Sequence, residues 1–215
     1  MKKILTHIIA VPILFAFTLT TFSFLEPTSL SAATANDSVT VSMTVTEQIA
    51  ISSPADVTMN ALNITTNEST GTATWNVKTN ASGGYTLAVH GTETDAMQGQ
   101  GGLAGTDFTD YTAAVAATPE VWSVSNAYEF GFSGYGADIL DATWGAGSSW
   151  GAGTIPADLK YRGFDAATNI TIASDTDETS TAGTDSTVCF AAEQETVFAP
   201  AGSYQAVVVA TATTQ

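Results

Sequence analysis

Alternation of apolar and polar residues at a period of two recurs along the chain, and it restricts the possible folds more than any other feature. Val39, Val41, Met43 and Val45 alternate with Thr40, Ser42 and Thr44, and the pattern runs on into Gln48–Ser53. Successive side chains of a strand point to opposite faces, so this pattern predicts a strand with one face buried. No segment long enough for a helix sustains a 3.6-residue period, and an all-β protein is expected. Further strands are predicted at Asp56–Met59, Thr72–Thr79, Tyr85–His90, Val121–Val124, Tyr128–Ser133, Leu159–Phe164, Asn169–Ala173, Ser186–Ala192 and Ser203–Thr213. Strands in this number, separated by turn signals, suit a two-layer antiparallel β-sandwich of Greek-key type, Ig-like or jelly-roll-like.

Within that pattern Ala73, Trp75 and Val77 share one face of their run, and Tyr85, Leu87 and Val89 share one face of the next. Both aromatic rings are therefore expected in the core, on the two arms of a hairpin. The glycines between Thr79 and Tyr85 would allow positive φ where the chain reverses. Strand spacing breaks down at two Gly/Ala-rich loop insertions, at about 91–119 and 134–158. The first contains "MQGQGGLAG" and a possible short helix at Thr112–Ala117. The second contains the duplicated "WGAGSSWGAG" of Trp144–Gly153. Long loops inside a compact domain often carry function.

Residues 1–35 read as a signal peptide. Lys2 and Lys3 precede an apolar run from Ile4 to Leu25, and small residues surround the candidate cleavage sites Leu30-Ser31-Ala32 and Ala33-Thr34-Ala35. Cleavage after Ala35 would leave residues 36–215 as a single sandwich domain, extracellular or at the cell surface. If the signal stays uncleaved, its apolar run is long enough to span a bilayer, and the membrane becomes a partner only in that case. Past residue 35 the strong cations are Lys78, Lys160 and Arg162 against twenty acids. Such a balance repels phosphate backbones and excludes nucleic acid as an expected partner. Cys189 is the single cysteine and has no partner for an internal disulfide, so packing must hold the domain together.

Few residue types suit catalysis. His90 is the one histidine beyond residue 35, and no Gly-x-Ser-x-Gly or Ser-x-x-Lys arrangement accompanies it, so no enzyme is expected. No cofactor is expected either, except for a possible structural calcium. Its oxygen ligands would come from Asp175, Asp177, Glu178 and Asp185 in "SDTDETSTAGTD", which lacks the glycine and closing glutamate of a helix-loop-helix calcium site. Tryptophans in a glycine-rich loop suit a sugar ring, since an indole stacks on its apolar side. Trp144 and Trp150, with Tyr135, are the candidate ligand-binding residues. The reading preferred over this is that the two indoles fold back to plug the open end of the sandwich.

Two segments are similar to the cell-wall-binding WxL domain found among exported bacterial surface proteins. "ASGGYTLAVH" at 81–90 stands where that family has glycine followed by Trp-x-Leu, and "AGSYQAVVVATATTQ" at 201–215 stands where it has its final strand. Tyr85-Thr86-Leu87 replaces the first tryptophan by tyrosine, and the second position reads Ala210-Thr211-Ala212. The resemblance implies an exported, surface-attached β-domain. Together with the residue pattern it leads to the expectation of a non-enzymatic structural or adhesive protein of the bacterial envelope. Two alternatives stand beside it: a carbohydrate- or cell-wall-binding module using the loop tryptophans, with wall or extracellular polysaccharide as partner, and a fibre or pilus-like subunit joined to like subunits by exchange of residues 38–46.

Overall fold

The computed structural model describes residues 34–113, 117–147, 153–166 and 168–215. The expected signal peptide up to residue 33, Trp150 and the middle of the expected Thr112–Ala117 helix lie outside the described residues. The chain forms two compact units, Met1–Thr44 and Val45–Gln215.

In the first unit residues 34–44 form no strand. Val39, Val41 and Met43 are 85, 88 and 86% exposed, and Val45, at the start of the second unit, is 70% exposed. The half-buried strand expected here is thus corrected. The alternation is present, but among the described residues the segment pairs with no strand and its Val/Met side chains are exposed.

The second unit is all-β. Its largest sheet has five strands in the order β1-β2-β10-β7-β5, comprising Ile49–Ile51 (β1), Glu68–Thr79 (β2), Thr184–Gln194 (β10), Tyr128–Gly136 (β7) and Thr109–Asp110 (β5). All its pairings are antiparallel except β5 with β7, which is parallel and departs from the antiparallel expectation. A three-stranded sheet has the order β12-β3-β9, made of Val208–Thr214 (β12), Tyr85–Gly91 (β3) and Ile170–Asp175 (β9). Two-stranded pairs join Gln98–Gly99 (β4) to Tyr204–Gln205 (β11) and Glu120–Val121 (β6) to Lys160–Tyr161 (β8). A single helical turn, α1, covers Asp141–Trp144.

The Trp75 and Tyr85 runs are strands with the expected faces buried, but they do not form a hairpin. β2 bonds β1 and β10, while β3 bonds β12 and β9, so residues 80–84 carry the chain from one sheet to the other. Gly84 serves this connection with φ of +77°, where a Cβ would collide with the backbone of Asp175. Tyr85 is fully buried, and its hydroxyl donates to Asp138 Oδ2 at 2.6 Å, which satisfies the polar end of the ring.

One core cluster draws on both sheets. It takes Ala73, Trp75 and Val77 from β2, Phe130 and Phe132 from β7, and Val188 and Phe190 from β10; across from these it takes Leu87 and Val89 from β3 and Ile172 from β9. Phe132 stacks on Phe164 with ring centroids 4.3 Å apart and meets Trp144 at 5.3 Å. A second cluster lies on the other face of the five-stranded sheet. Cys189 and Ala191 of β10 pack there with Tyr111, Leu159 and Tyr161 from the connecting segments, and Trp122 and Ile155 pack at its margin. β10 is consequently buried on both faces, which accounts for the unbroken apolar run "VCFAA" in place of alternation. The loop insertions contribute to both clusters: Ala96, Phe108, Ile139 and Trp144 join the main core, and Tyr111, Ala113 and Ile155 join the second.

Candidate functional site

The expected aromatic platform does not form among the described residues. Trp144 ends α1, is 2% exposed and packs on Phe132 in the main core, so its indole face is already covered by protein. Tyr135 sits on β7, half-buried against the second cluster. The acids expected to hold calcium are not brought together either. Asp175 ends β9, Asp177 and Glu178 are exposed beyond it, and Asp185 on β10 accepts from Asn76 Nδ2 at 2.7 Å. Among the described residues no group of three or more His, Cys, Asp or Glu side chains is arranged to hold a metal ion.

Three carboxylates instead form a row at one end of the outer face of the five-stranded sheet. Glu193 of β10 lies opposite Glu68 of β2 on one side and Glu129 of β7 on the other. Each is held by donors from the covering segments. Glu193 Oε2 accepts from the Trp122 indole at 2.6 Å and Glu68 Oε2 accepts from the Ile155 amide at 2.7 Å, while Glu129 Oε1 accepts from Ser125 Oγ at 3.0 Å and from Asn126. Burial pushes the Glu193 carboxyl up, against the lowering effect of the Trp122 hydrogen bond, and Glu68, Glu195 and Glu129 add like-charge repulsion. Burial likewise raises the Cys189 thiol, which therefore stays protonated and unreactive. His90 uses Nδ1 in a contact of 2.8 Å with the Gly91 carbonyl. The carboxylate row is an anchoring device: it ties the covering segments to the sheet.

The feature with the geometry of a binding site is an apolar cleft of about 1340 Å³ in the second unit, and its origin can be traced to one proline. β1 pairs with β2 in a register that sets Ile51 opposite Val77, and Ser52 N still donates to Asn76 O at 2.9 Å. Two residues further, the same register would place Pro54 opposite Thr74. Proline has no N–H to donate there, and the strand ends. The chain from Pro54 to Leu62 leaves the β1 ladder but stays beside β2, where Asn60 donates to Glu68 O and accepts from Thr70 N, and it lines one side of the cleft while residues 198–210 line the other. Between them the cleft reaches the core at Ala73, Trp75, Phe130, Phe190 and Ala192.

Two properties decide what this cleft can hold. Its volume exceeds the roughly 300–1,000 Å³ of small-molecule pockets, so it suits an extended chain better than a compact ligand. Of the side chains lining it, Asp56 alone is charged, so it offers no cation to an anionic group and a single carboxylate to a cationic one. Along the wall formed by residues 198–210, Ala206, Val208 and Ala210 turn toward the core and are only half-buried. Sequence reasoning did not locate this cleft; Pro54 within an alternating run was the signal that could have done so.

The chain matches no family model, no curated protein and no solved structure.

Proposed function

We propose that the protein is an exported, non-enzymatic structural β-domain of the bacterial envelope that associates with like subunits by strand exchange. Support comes first from one observation: Val39–Val45 is a strand sequence that pairs with no strand among the described residues, with four apolar side chains 70–88% exposed. Exposing a contiguous apolar stripe costs solvation free energy that burial against a partner would recover, at about 25 cal/mol per Å². A segment with this alternating, uncharged sequence is suited to adding as a strand to a sheet edge.

On this reading the five-stranded and three-stranded sheets face each other as the two layers of a sandwich, since the inner faces of β2, β7 and β10 share one core cluster with those of β3 and β9. The cleft then marks where a strand is lacking along one side of the sandwich. The carbohydrate-binding alternative has less support, because the described member of the tryptophan pair is buried in the core.

Deletion of Asn36–Val45 tests the proposal. The shortened protein is expected to keep its cooperative unfolding transition and to sediment as a monomer at concentrations where the full chain associates. A full chain that remains monomeric at every concentration would refute it.

A further inference from the structure

We propose that Glu193 keeps a proton in the folded protein and donates it to Glu129 Oε2, and that this proton holds residues 122–126 closed over the outer face of the five-stranded sheet. The latch is independent of the association reading above. Glu129 is fully buried, and its two oxygens are placed differently. Oε1 accepts from Ser125 and Asn126, whereas Oε2 is buried with no hydrogen-bond partner. A buried carboxylate oxygen without a donor or a cation beside it is costly, so the fold has to supply one or the other.

The cations of the described residues are engaged elsewhere. Arg162 bonds Asp165 at 2.8 Å and the Ala117 carbonyl, Lys160 Nζ donates to the Ala142 carbonyl at 2.9 Å, and Lys78 lies at the far end of β2 opposite Ala50. A proton is left, and Glu193 is the group that can bring it. It stands directly opposite Glu129 on the adjacent strand, where paired side chains share a face with Cβ atoms about 4.5–5.5 Å apart. Its Oε2 accepts from the Trp122 indole at 2.6 Å, which leaves Oε1 to carry the proton. A protonated carboxyl is a donor, so one proton satisfies Glu129 Oε2 and removes one of two adjacent charges. Burial is the largest influence raising the Glu193 carboxyl; the Trp122 hydrogen bond opposes it, and Glu68 from β2, Glu195 just past β10 and Glu129 from β7 add like charge. Besides Lys160 and Arg162, the titratable groups that the covering segments bring to this face are Tyr111, Glu120, Asp158 and Tyr161, and β10 itself adds the neutral Cys189.

The proton is coupled to a part of the chain that can lift. Trp122 lies over Gly131 of β7, where a Cβ would come within 3.1 Å of its ring, and it stacks on Tyr111 with centroids 4.4 Å apart. Residues 122–126 form no strand. Trp122, Ser125 and Asn126 tie them to Glu193 and Glu129, so the same two carboxyl groups hold the whole segment. Closed, the segment shields Glu193 from water, and the carboxyl holds its proton more tightly than it would when hydrated in an open state. Rising pH must then favour opening and falling pH closure, with one proton linked to each event. The sign is the reverse of that for a carboxylate held by a cation, whose contact is lost in acid.

Carbon-13 NMR of the glutamate carboxyls in the full chain gives the test, with the Trp122 indole N–H, identified by its loss in W122F, as the reporter of opening. One glutamate is expected to titrate above the ordinary value of about 4.3, to be missing in E193Q, and to move downward in E129Q, where an amide donor replaces the acceptor. Across the same pH window the exchange rate of the Trp122 indole proton, divided by its rate in E193Q, should rise by up to tenfold per pH unit. A Glu193 that titrates at or below the ordinary value would overturn the shared proton. An exchange ratio that stays flat through the Glu193 titration would overturn the latch. Millimolar calcium that shifts the Trp122 indole resonance in the unsubstituted protein but not in E129Q would put a cation in the place of the proton and overturn both.

Discussion

β10 and β12 are both long strands rich in β-branched and small residues, yet they are used in opposite ways. β10 bonds a neighbour along both edges and buries both faces, one against the sheet-to-sheet core and the other under Tyr111, Leu159 and Tyr161. β12 bonds a neighbour along one edge, and its side chains alternate between half-buried and exposed. The contrast shows that strand-forming sequence and completed strand environment are separate matters. β10 receives its second cover from Tyr111, Leu159 and Tyr161, whereas the side of β12 away from β3 faces β1 without a hydrogen-bonded ladder between them.

The comparison can be broken most forcefully at Phe190, where β10 feeds the main core beside Phe130 and Phe164. F190A is expected to cost about 3–5 kcal/mol in chemical denaturation, the usual loss for a buried aromatic ring. On the opposite face of β10, C189S places a hydroxyl where the fully buried thiol has apolar neighbours, and a loss of about 1–3 kcal/mol is expected. In the unsubstituted protein Cys189 should resist alkylation until the domain unfolds.

Glu193 sharpens the contrast through pH. Its carboxyl is raised in the folded state, so the folded protein holds that proton more tightly than the unfolded chain. Its contribution therefore favours folding at low pH and is lost as pH rises from the ordinary carboxyl range through the raised folded value. E193Q retains an acceptor for the Trp122 indole and cannot ionise. Its stability relative to the unsubstituted protein should increase as pH is raised through that window, measured by denaturation at a series of pH values. The smallest effect belongs to β12: A210V adds two methyl groups beside an open cleft and should change monomer stability by no more than about 0.5 kcal/mol.

The sequence shows one of these strands more fully than the other. Alternation at Ala73, Trp75, Val77 and at Tyr85, Leu87, Val89 identified the buried faces, because a two-residue period fixes which side chains share a side. It did not identify their partners: the hairpin expected from a short glycine-containing connection is instead a crossing between sheets, and pairing depends on which distant strands occupy each edge. Trp144 looked available in a glycine-rich loop, but whether an indole faces solvent depends on what lies under the loop, here Phe132 and Ile139. The same limit applies to Val39–Val45, whose pattern specifies a strand and says nothing of where its partner is.

Amide exchange on β12 tests the central claim most directly. In a dilute monomer the N–H groups of Val208, Ala210, Ala212 and Thr214 should exchange quickly, while those of Val209, Thr211 and Thr213, which bond β3, exchange slowly. At concentrations where copies associate, the amides of Val39–Val45 should become protected. Protection of all seven β12 amides in the dilute monomer would contradict an edge that bonds no neighbour, and fast exchange throughout Val39–Val45 on association would contradict strand exchange through that segment.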